Sequence, residues 1–149
     1  MENYIPETQP PSTPIECVQR LQQAINHHDL EEFTNCFAPD YSSTFPVHPD
    51  RAFTGHEQMQ KNWSQIFGAV PDLHATLLRH AVDGETVWAE WEWKGTRMDG
   101  VSFFQRGVTI QGVQHGVITW ARLYMEPVQE AGSGIDAAIQ QTMARRETS

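Results

Sequence analysis

The chain has 149 residues, enough for one domain with a single core, and carries ten lysines and arginines against nineteen aspartates and glutamates. The net charge of -9 at pH 7 repels phosphate groups, which excludes a protein that binds nucleic acid or an anionic membrane. No apolar run approaches the roughly eighteen residues of a membrane span, and the first residues lack a signal-peptide pattern, so a cytoplasmic protein is expected.

The first half of the chain predicts helices. Residues 1–13 are polar and contain three prolines, which indicates a flexible N-terminal arm. Apolar residues at helical spacing follow, and Thr13 and Asp29 are suitable N-caps. The predicted elements are a helix from Pro14 to about His28, a short helix closed by Pro39, a strand over 41–45, and an amphipathic third helix that opens near Gly55 and stops at Pro71.

The second half of the chain predicts a meander of strands. Glycine-containing turns separate segments rich in β-branched and aromatic residues, at 73–82, 86–96, 101–110 and 117–125. Helices followed by antiparallel strands are typical of an α+β domain, which we place at 14–127. Residues 128–149 form a C-terminal tail with a predicted short helix, whose apolar edge is Ile135, Ile139 and Met143.

Five stretches in this order resemble one known family. They are the Gly55 and Glu57 opening of the third helix, VPDL at 70–73, WAEWEWKGT at 88–96, RGVTI at 106–110 and HGVITWARLYMEP at 115–127. Over residues 14–127 the chain resembles the SnoaL-like branch of the nuclear-transport-factor-2-like superfamily. The resemblance implies a cystatin-like α+β barrel, in which three N-terminal helices precede a curved antiparallel sheet wrapped around a long helix as an open cone.

The superfamily hosts polyketide cyclases, epoxide hydrolases, dehydratases, ketosteroid isomerases and proteins with no chemistry, so the fold does not select an activity. Its epoxide hydrolases hold a water between carboxylates and an arginine. The resemblance puts Trp91 and Trp93 where that arginine and an aspartate would stand, and Leu123 where the last strand would carry an aspartate. The residues of an epoxide hydrolase are therefore expected to be absent.

The last strand, VITWARLYMEP, has two contrasting faces. Because unpaired buried charges cost several kcal/mol each, we expect Ala121 and Leu123 to point into the cone and Arg122 to point outward. The opposite register stays open. It would place Glu90 or Glu126 inside as a perturbed carboxylate and a candidate general base.

We expect neither a cofactor nor a metal in the site. No two histidines have the i, i+4 spacing of metal ligands on a helix. The two cysteines, Cys17 and Cys36, are expected to be reduced and structural. His48 lies in the loop that runs along the cone's mouth in this fold, where a surface role competes with ligand contact or acid–base chemistry. Arg51 and Asp50 share that ambiguity. The predicted ligand-binding residues are Trp91, Trp93, Trp63, Leu123, Thr44, Ser42 and His48, and the catalytic candidates are His48, Glu90 and Glu126.

The leading hypothesis is a protein that binds a small, largely apolar molecule, such as a polycyclic or isoprenoid metabolite, in the cone. One alternative is a cyclase or isomerase in which His48 or an inward glutamate moves a proton. Another is a non-catalytic dimeric scaffold. In each case a homodimer is expected through the outer face of the sheet, where Trp88, Trp120, Arg122 and Tyr124 lie among charges.

Overall fold

The computed structural model describes residues 13–144. Three helices precede the main strands, and a fourth helix ends the described part. The elements are α1 (Pro14–His27), α2 (Leu30–Asn35), β1 (Phe37–Thr44), a 3-10 turn (Pro49–Arg51), β2 (Phe53–Thr54), α3 (His56–Ala69), β3 (His74–Asp83), β4 (Thr86–Thr96), β5 (Ser102–Gln114), β6 (Val117–Pro127) and α4 (Ile135–Ala144).

Helix α1 begins where the sequence predicts, because Thr13 and Glu16 form a reciprocal capping box and a proline occupies the first turn. Its apolar face is buried, and Cys17 in the first turn belongs to that face. Burial raises the pKa of the Cys17 thiol to about 11, and Cys36 is buried as well. The two cysteines are free thiols, in line with a structural role.

Strand β1 starts four residues earlier than predicted. Phe37, which shares a helical face with Phe33 in the sequence, is instead the first residue of β1 and pairs with Ile118 of β6. The N–H of Ile118 donates to the carbonyl of Cys36 over 2.8 Å, which holds this end of the strand on the sheet. Pro39 falls in the irregular stretch between the two paired parts of β1, where no ladder hydrogen bond requires its missing N–H.

The strands form one six-stranded sheet in the order β2-β1-β6-β5-β4-β3. All neighbours are antiparallel except β1 and β6, which are parallel. The buried side chains of α1, α2 and β1 form a single core with the inner face of β3 to β6. The α+β class and the curved sheet wrapped around helices are therefore as predicted.

Strand β6 carries one extra residue, Thr119, relative to β5. The register shifts there because Gly112 pairs with Trp120 while the next residue, Val113, pairs with Ile118. This β-bulge puts Ile118 and Ala121 on the inner face, with 0% and 2% of their surfaces exposed, and leaves Trp120 outside. Simple alternation, which groups Ile118 with Trp120, is wrong at that position.

The C-terminal helix α4 is present where the tail predicts one, and its apolar edge is exposed, with Ile135 at 73% and Met143 at 75%. The predicted arm, except for Thr13, lies outside the described residues. No helix among residues 13–144 combines the length and the apolar character needed to cross a membrane.

Candidate functional site

An apolar cavity of about 260 Å³ lies between the helices and the inner face of the sheet. Aromatic rings supply much of its wall, and Trp63 of α3 packs edge-on against Trp93 of β4 with ring centroids 5.5 Å apart. The lining residues are Leu21, Ile25, Phe33, Phe37, Tyr41, Ser43, Phe45, Phe53, Met59, Asn62, Trp63, Ile66, Trp91, Trp93, Thr109, Gln111, Ala121 and Leu123.

The register of the sheet explains why the two tryptophans of β4 point inward. Trp91 is 1% exposed and lies opposite Gly107 of β5. A Cβ at Gly107 would come within 2.0 Å of the carbonyl oxygen of Tyr124, so the backbone itself excludes any side chain there. Leu123 of β6 lines the same cavity, as the strand parity predicts.

A short chain of hydrogen bonds makes one patch of the wall polar. The Trp91 indole Nε1–H donates to Oγ1 of Thr109 over 2.9 Å, and the Thr109 hydroxyl donates to Oε1 of Gln111 over 3.2 Å. Thr109 and Gln111 are 4% and 3% exposed. Since the Gln111 carbonyl oxygen is the acceptor in this chain, its amide nitrogen retains two N–H donors, for which no acceptor lies within the described residues.

Two further polar side chains enter the cavity from β1. Tyr41 is 4% exposed and Ser43 is 1% exposed. Burial raises the pKa of the Tyr41 phenol to about 12, against a smaller opposing effect of the nearby Ser43 hydroxyl. Tyr41 is therefore a neutral hydroxyl at physiological pH and donates or accepts hydrogen bonds without ionising.

One buried donor in the wall is unsatisfied. Nε1 of Trp93 has no hydrogen-bond partner among residues 13–144. An unpaired buried donor costs about 1–3 kcal/mol, and a water or a ligand acceptor would relieve that cost.

Several predicted site residues lie elsewhere. Ser42 and Thr44 are not in the cavity wall, because the side chains of Tyr41, Ser43 and Phe45 take the inner face of β1. The expected phase of this strand is thus shifted by one residue. The Thr44 hydroxyl instead donates to the carbonyl of Ala121 over 3.3 Å, between strands.

His48 is also outside the cavity wall. Its Nε2 lies 2.9 Å from a carboxylate oxygen of Glu126, and both side chains are partly exposed, at 35% and 47%. The pair joins the loop after β1 to the end of β6. His48 therefore has a partner on the protein surface rather than a place among the lining residues.

The outer face of the sheet carries the remaining charged candidates. Glu90 pairs with Arg79 of β3 at 3.3 Å, and Glu92 pairs with Arg106 of β5 at 2.7 Å. Arg106 therefore takes part in a structural ion pair. Neither Glu90 nor Glu126 lines the cavity, so the alternative register with an inward general base is not the one observed.

The side chains of the wall determine which reactions the cavity can support. Among the eighteen lining residues the only titratable side chain is that of Tyr41, whose pKa is raised away from neutrality. The wall has neither a carboxylate nor an imidazole to take a proton near pH 7. Such a wall is suited to binding an apolar molecule and to donating hydrogen bonds to it.

Sequence reasoning missed Thr109 and Gln111, although a signal for them was present. The bend at Asp99 and Gly100 joins β4 to β5 with Thr96 opposite Ser102. In that register the odd-numbered residues of β5 lie opposite the odd-numbered residues of β4, so they face inward together with the two tryptophans. Asn62 had no comparable signal, since the docking of α3 on the sheet places it.

Comparisons with known proteins agree with this architecture. The SnoaL-like domain family matches residues 18–121. No curated protein sequence is significantly similar to the chain. Among solved structures, a Catenulispora acidiphila protein of ketosteroid isomerase-like fold in complex with trimethylamine is 20% identical, covers 76% of this chain and 86% of its own, and superposes with a TM-score of 0.65.

Two other structures are similar to the same degree. IdmH of Streptomyces antibioticus, a candidate polyketide cyclase, is 22% identical with a TM-score of 0.67, over 77% of this chain and 93% of its own. An epoxide hydrolase of the LEH-like type from M. tuberculosis is 17% identical with a TM-score of 0.66, over 76% of this chain and 82% of its own. At these identities the likeness concerns the fold alone. The family match, which spans most of the chain, establishes that this protein belongs to the SnoaL-like domain family.

Proposed function

We propose that the protein binds a small, largely apolar molecule in the cavity between α3 and the sheet, without acid–base catalysis by the cavity wall. The observation that carries the proposal is an apolar aromatic cavity with a few polar groups in its wall, among them the hydrogen-bonded pair Thr109 and Gln111. Apolar walls with a few convergent polar groups are the usual composition of small-molecule sites.

The polar patch defines the ligand's chemistry. The free N–H donors of Gln111 favour an acceptor such as a carbonyl or ether oxygen over a donor. Because neither a cationic nor an anionic side chain lies among the lining residues, we expect the part of the ligand that occupies the cavity to be neutral. A neutral ring system that carries a carbonyl group fits these requirements.

The cavity volume refines the expected size. About 260 Å³ lies just below the roughly 300–1,000 Å³ of sites for drug-sized ligands. This volume favours a monocyclic or bicyclic body over the larger polycyclic molecules expected from the sequence. A larger ligand would have to extend beyond the cavity.

The proposal is tested with two neutral probes of nearly equal size, 2-acetylnaphthalene and 2-ethylnaphthalene, of which only the first has a carbonyl acceptor. Both should quench tryptophan fluorescence, since three indoles lie in the wall. In Gln111→Leu the affinity for the ketone should fall roughly threefold to tenfold, the worth of one hydrogen bond, while that for the hydrocarbon should hold or rise.

Ala121→Leu supplies the blocking variant, because the added carbons enter the cavity from a residue that is 2% exposed. It should abolish binding of both probes. Ala81→Leu is the matched control, since Ala81 is exposed beside Trp88 on the outer face. Binding of both probes that survives Ala121→Leu, or that shows no response to Gln111→Leu, would contradict the proposal. Native mass spectrometry of freshly purified protein would identify a natural ligand.

An enzyme remains a second candidate, and one observation favours it. The 2.9 Å contact of His48 with Glu126 orients an imidazole, as in many acid–base pairs. The pair would serve a cyclase- or isomerase-type reaction only on a part of the substrate outside the cavity. His48→Gln should then abolish turnover without weakening binding.

We further propose that the protein is a cytoplasmic homodimer that associates through the outer face, defined by Trp88, Trp120, Arg122 and Tyr124. Trp88 and Trp120 are 49% and 37% exposed. Trp88 and Arg122 flank Ile110 of β5 in one row across three strands. Exposed aromatic residues together with an arginine are enriched in protein interfaces.

A further inference from the structure

A second hollow adjoins the cavity beside β2. It has a volume of about 400 Å³ and shares Phe45, Phe53 and Asn62 with the cavity wall. The three shared residues place the two spaces side by side. The residues found in this hollow and not in the cavity are Arg51, Ala52 and Gln58.

The polar groups of this hollow differ in kind from those of the cavity. Arg51 closes the 3-10 turn and makes no ion pair with any acidic residue in the described part of the chain. Gln58 donates its amide N–H to Oδ1 of Asn62 over 2.8 Å, which orients the Asn62 amide nitrogen as a further donor. The hollow thus presents a guanidinium and an amide donor with no carboxylate in its wall.

This donor set matches a carboxylate. A guanidinium offers two parallel N–H groups to the two oxygens of a carboxylate, and such charge-assisted hydrogen bonds are about twice as strong as neutral ones. The chain as a whole carries a charge of -9, which disfavours anions over most of its surface. An anionic group therefore needs a local cation, and Arg51 provides one next to the cavity.

We propose that the ligand is an amphipathic acid, with an apolar body in the cavity and a carboxylate bound by Arg51 in the adjoining hollow. This inference rests on the proposed binding function and adds the charged group to it. The ligand class is a small organic acid with a hydrocarbon or ring body. Neutral lipids and amines are disfavoured at the same position.

The test compares decanoate with 1-decanol, which share a flexible ten-carbon chain and differ in charge, by isothermal titration calorimetry at pH 8. In Arg51→Gln the dissociation constant for decanoate should rise at least threefold, while that for decanol should change less than twofold. Arg51→Lys should retain part of the preference for decanoate over decanol, because lysine keeps the positive charge but lacks the two parallel N–H groups of the guanidinium. Arg79→Gln, which removes an arginine 84% exposed on β3, should affect neither ligand.

The outcomes separate this inference from the proposed function. Equal weakening of both ligands by Arg51→Gln, or no weakening of decanoate, would overturn the role of Arg51 and leave the cavity proposal standing. An equal loss of decanoate binding in Arg79→Gln would indicate general electrostatics and would also overturn it. If neither ligand binds the unaltered protein, both the cavity proposal and this inference fail.

Discussion

Replacement of Thr109 by valine isolates the hydrogen bonds inside the cavity wall. The two side chains have the same shape, so packing and strand propensity barely change. The variant leaves the Trp91 indole N–H without its 2.9 Å acceptor, at a residue that is 1% exposed. It also removes the donor of the 3.2 Å bond to Gln111. An unsatisfied buried donor costs about 1–3 kcal/mol.

The expected result is a loss of roughly 2 kcal/mol in the free energy of unfolding, seen in guanidinium denaturation as a lower midpoint with an unchanged slope. In a domain of this size that loss corresponds to a fall of roughly 4 to 8 °C in the melting temperature. Thr86→Val on the same strand as Trp91 is the control. Thr86 makes no side-chain hydrogen bond within the described residues, and its replacement should change stability by less than about 0.5 kcal/mol.

A double-mutant cycle with Trp91→Phe completes the experiment. Phenylalanine removes the indole N–H, so the cost of Thr109→Val should be smaller in that background, with a coupling of about 1 kcal/mol. A Thr109→Val protein as stable as the unaltered one, or a cycle without coupling, would refute the assignment of this buried hydrogen bond.

Three more outcomes are expected. Gly107→Ala should destabilise the fold by several kcal/mol or prevent its purification, because the new Cβ would clash with the carbonyl oxygen of Tyr124, whereas Gly68→Ala in α3, where a Cβ meets open space, should not destabilise it. The free energy of unfolding should fall as the pH rises from about 9 towards 11, since burial raises the pKa of Cys17 from 9.0 to about 11 and the unfolded chain loses that proton first; Cys17→Ala should flatten the slope, and a slope left unchanged would disprove this origin. Light scattering at micromolar concentration should report a dimer, and Trp88→Glu should give a folded monomer; a monomeric unaltered protein would rule out the proposed interface.

The sequence predicts most of this fold because the relevant signals are local. Thr13 and Asp29 cap their helices as expected, with side chains that accept from Glu16 and Glu32 backbone N–H groups. The strands of the meander lie close to their predicted bounds, since turn residues separate them. Local patterns of this kind depend little on the rest of the molecule.

The predicted element bounds and strand faces are wrong where pairing with a residue distant in the sequence determines them. Phe37 continues the helical pattern of α2, yet pairing with Ile118, more than eighty positions away, draws it into β1. The pairing of the later part of β1, which puts Ser43 beside the inward Ala121, also places Ser43 rather than Ser42 and Thr44 in the cavity wall. The bulge at Thr119 likewise has no local marker, because it depends on how β6 aligns with β5.

The candidate site was predictable to a different extent for each of its parts. The cost of burying a charge correctly predicts that Leu123 faces inward and Arg122 outward, and this prediction needs the sequence of one strand only. The hydrogen-bonded patch of Thr109 and Gln111 requires the register between two strands, and the position of Asn62 requires the docking of a helix. Predictability declines as more elements must be placed together.

The extra residue in β6 also bears on how chains of this type can differ in length. Without Thr119 the remaining residues would alternate regularly, with Ile118, Ala121 and Leu123 still on one side. A deletion at that point therefore preserves the cavity wall, whereas a single deletion between Ala121 and Leu123 would turn the following half of the strand over. Natural variation in length is thus expected to concentrate at position 119, where the sheet can absorb it.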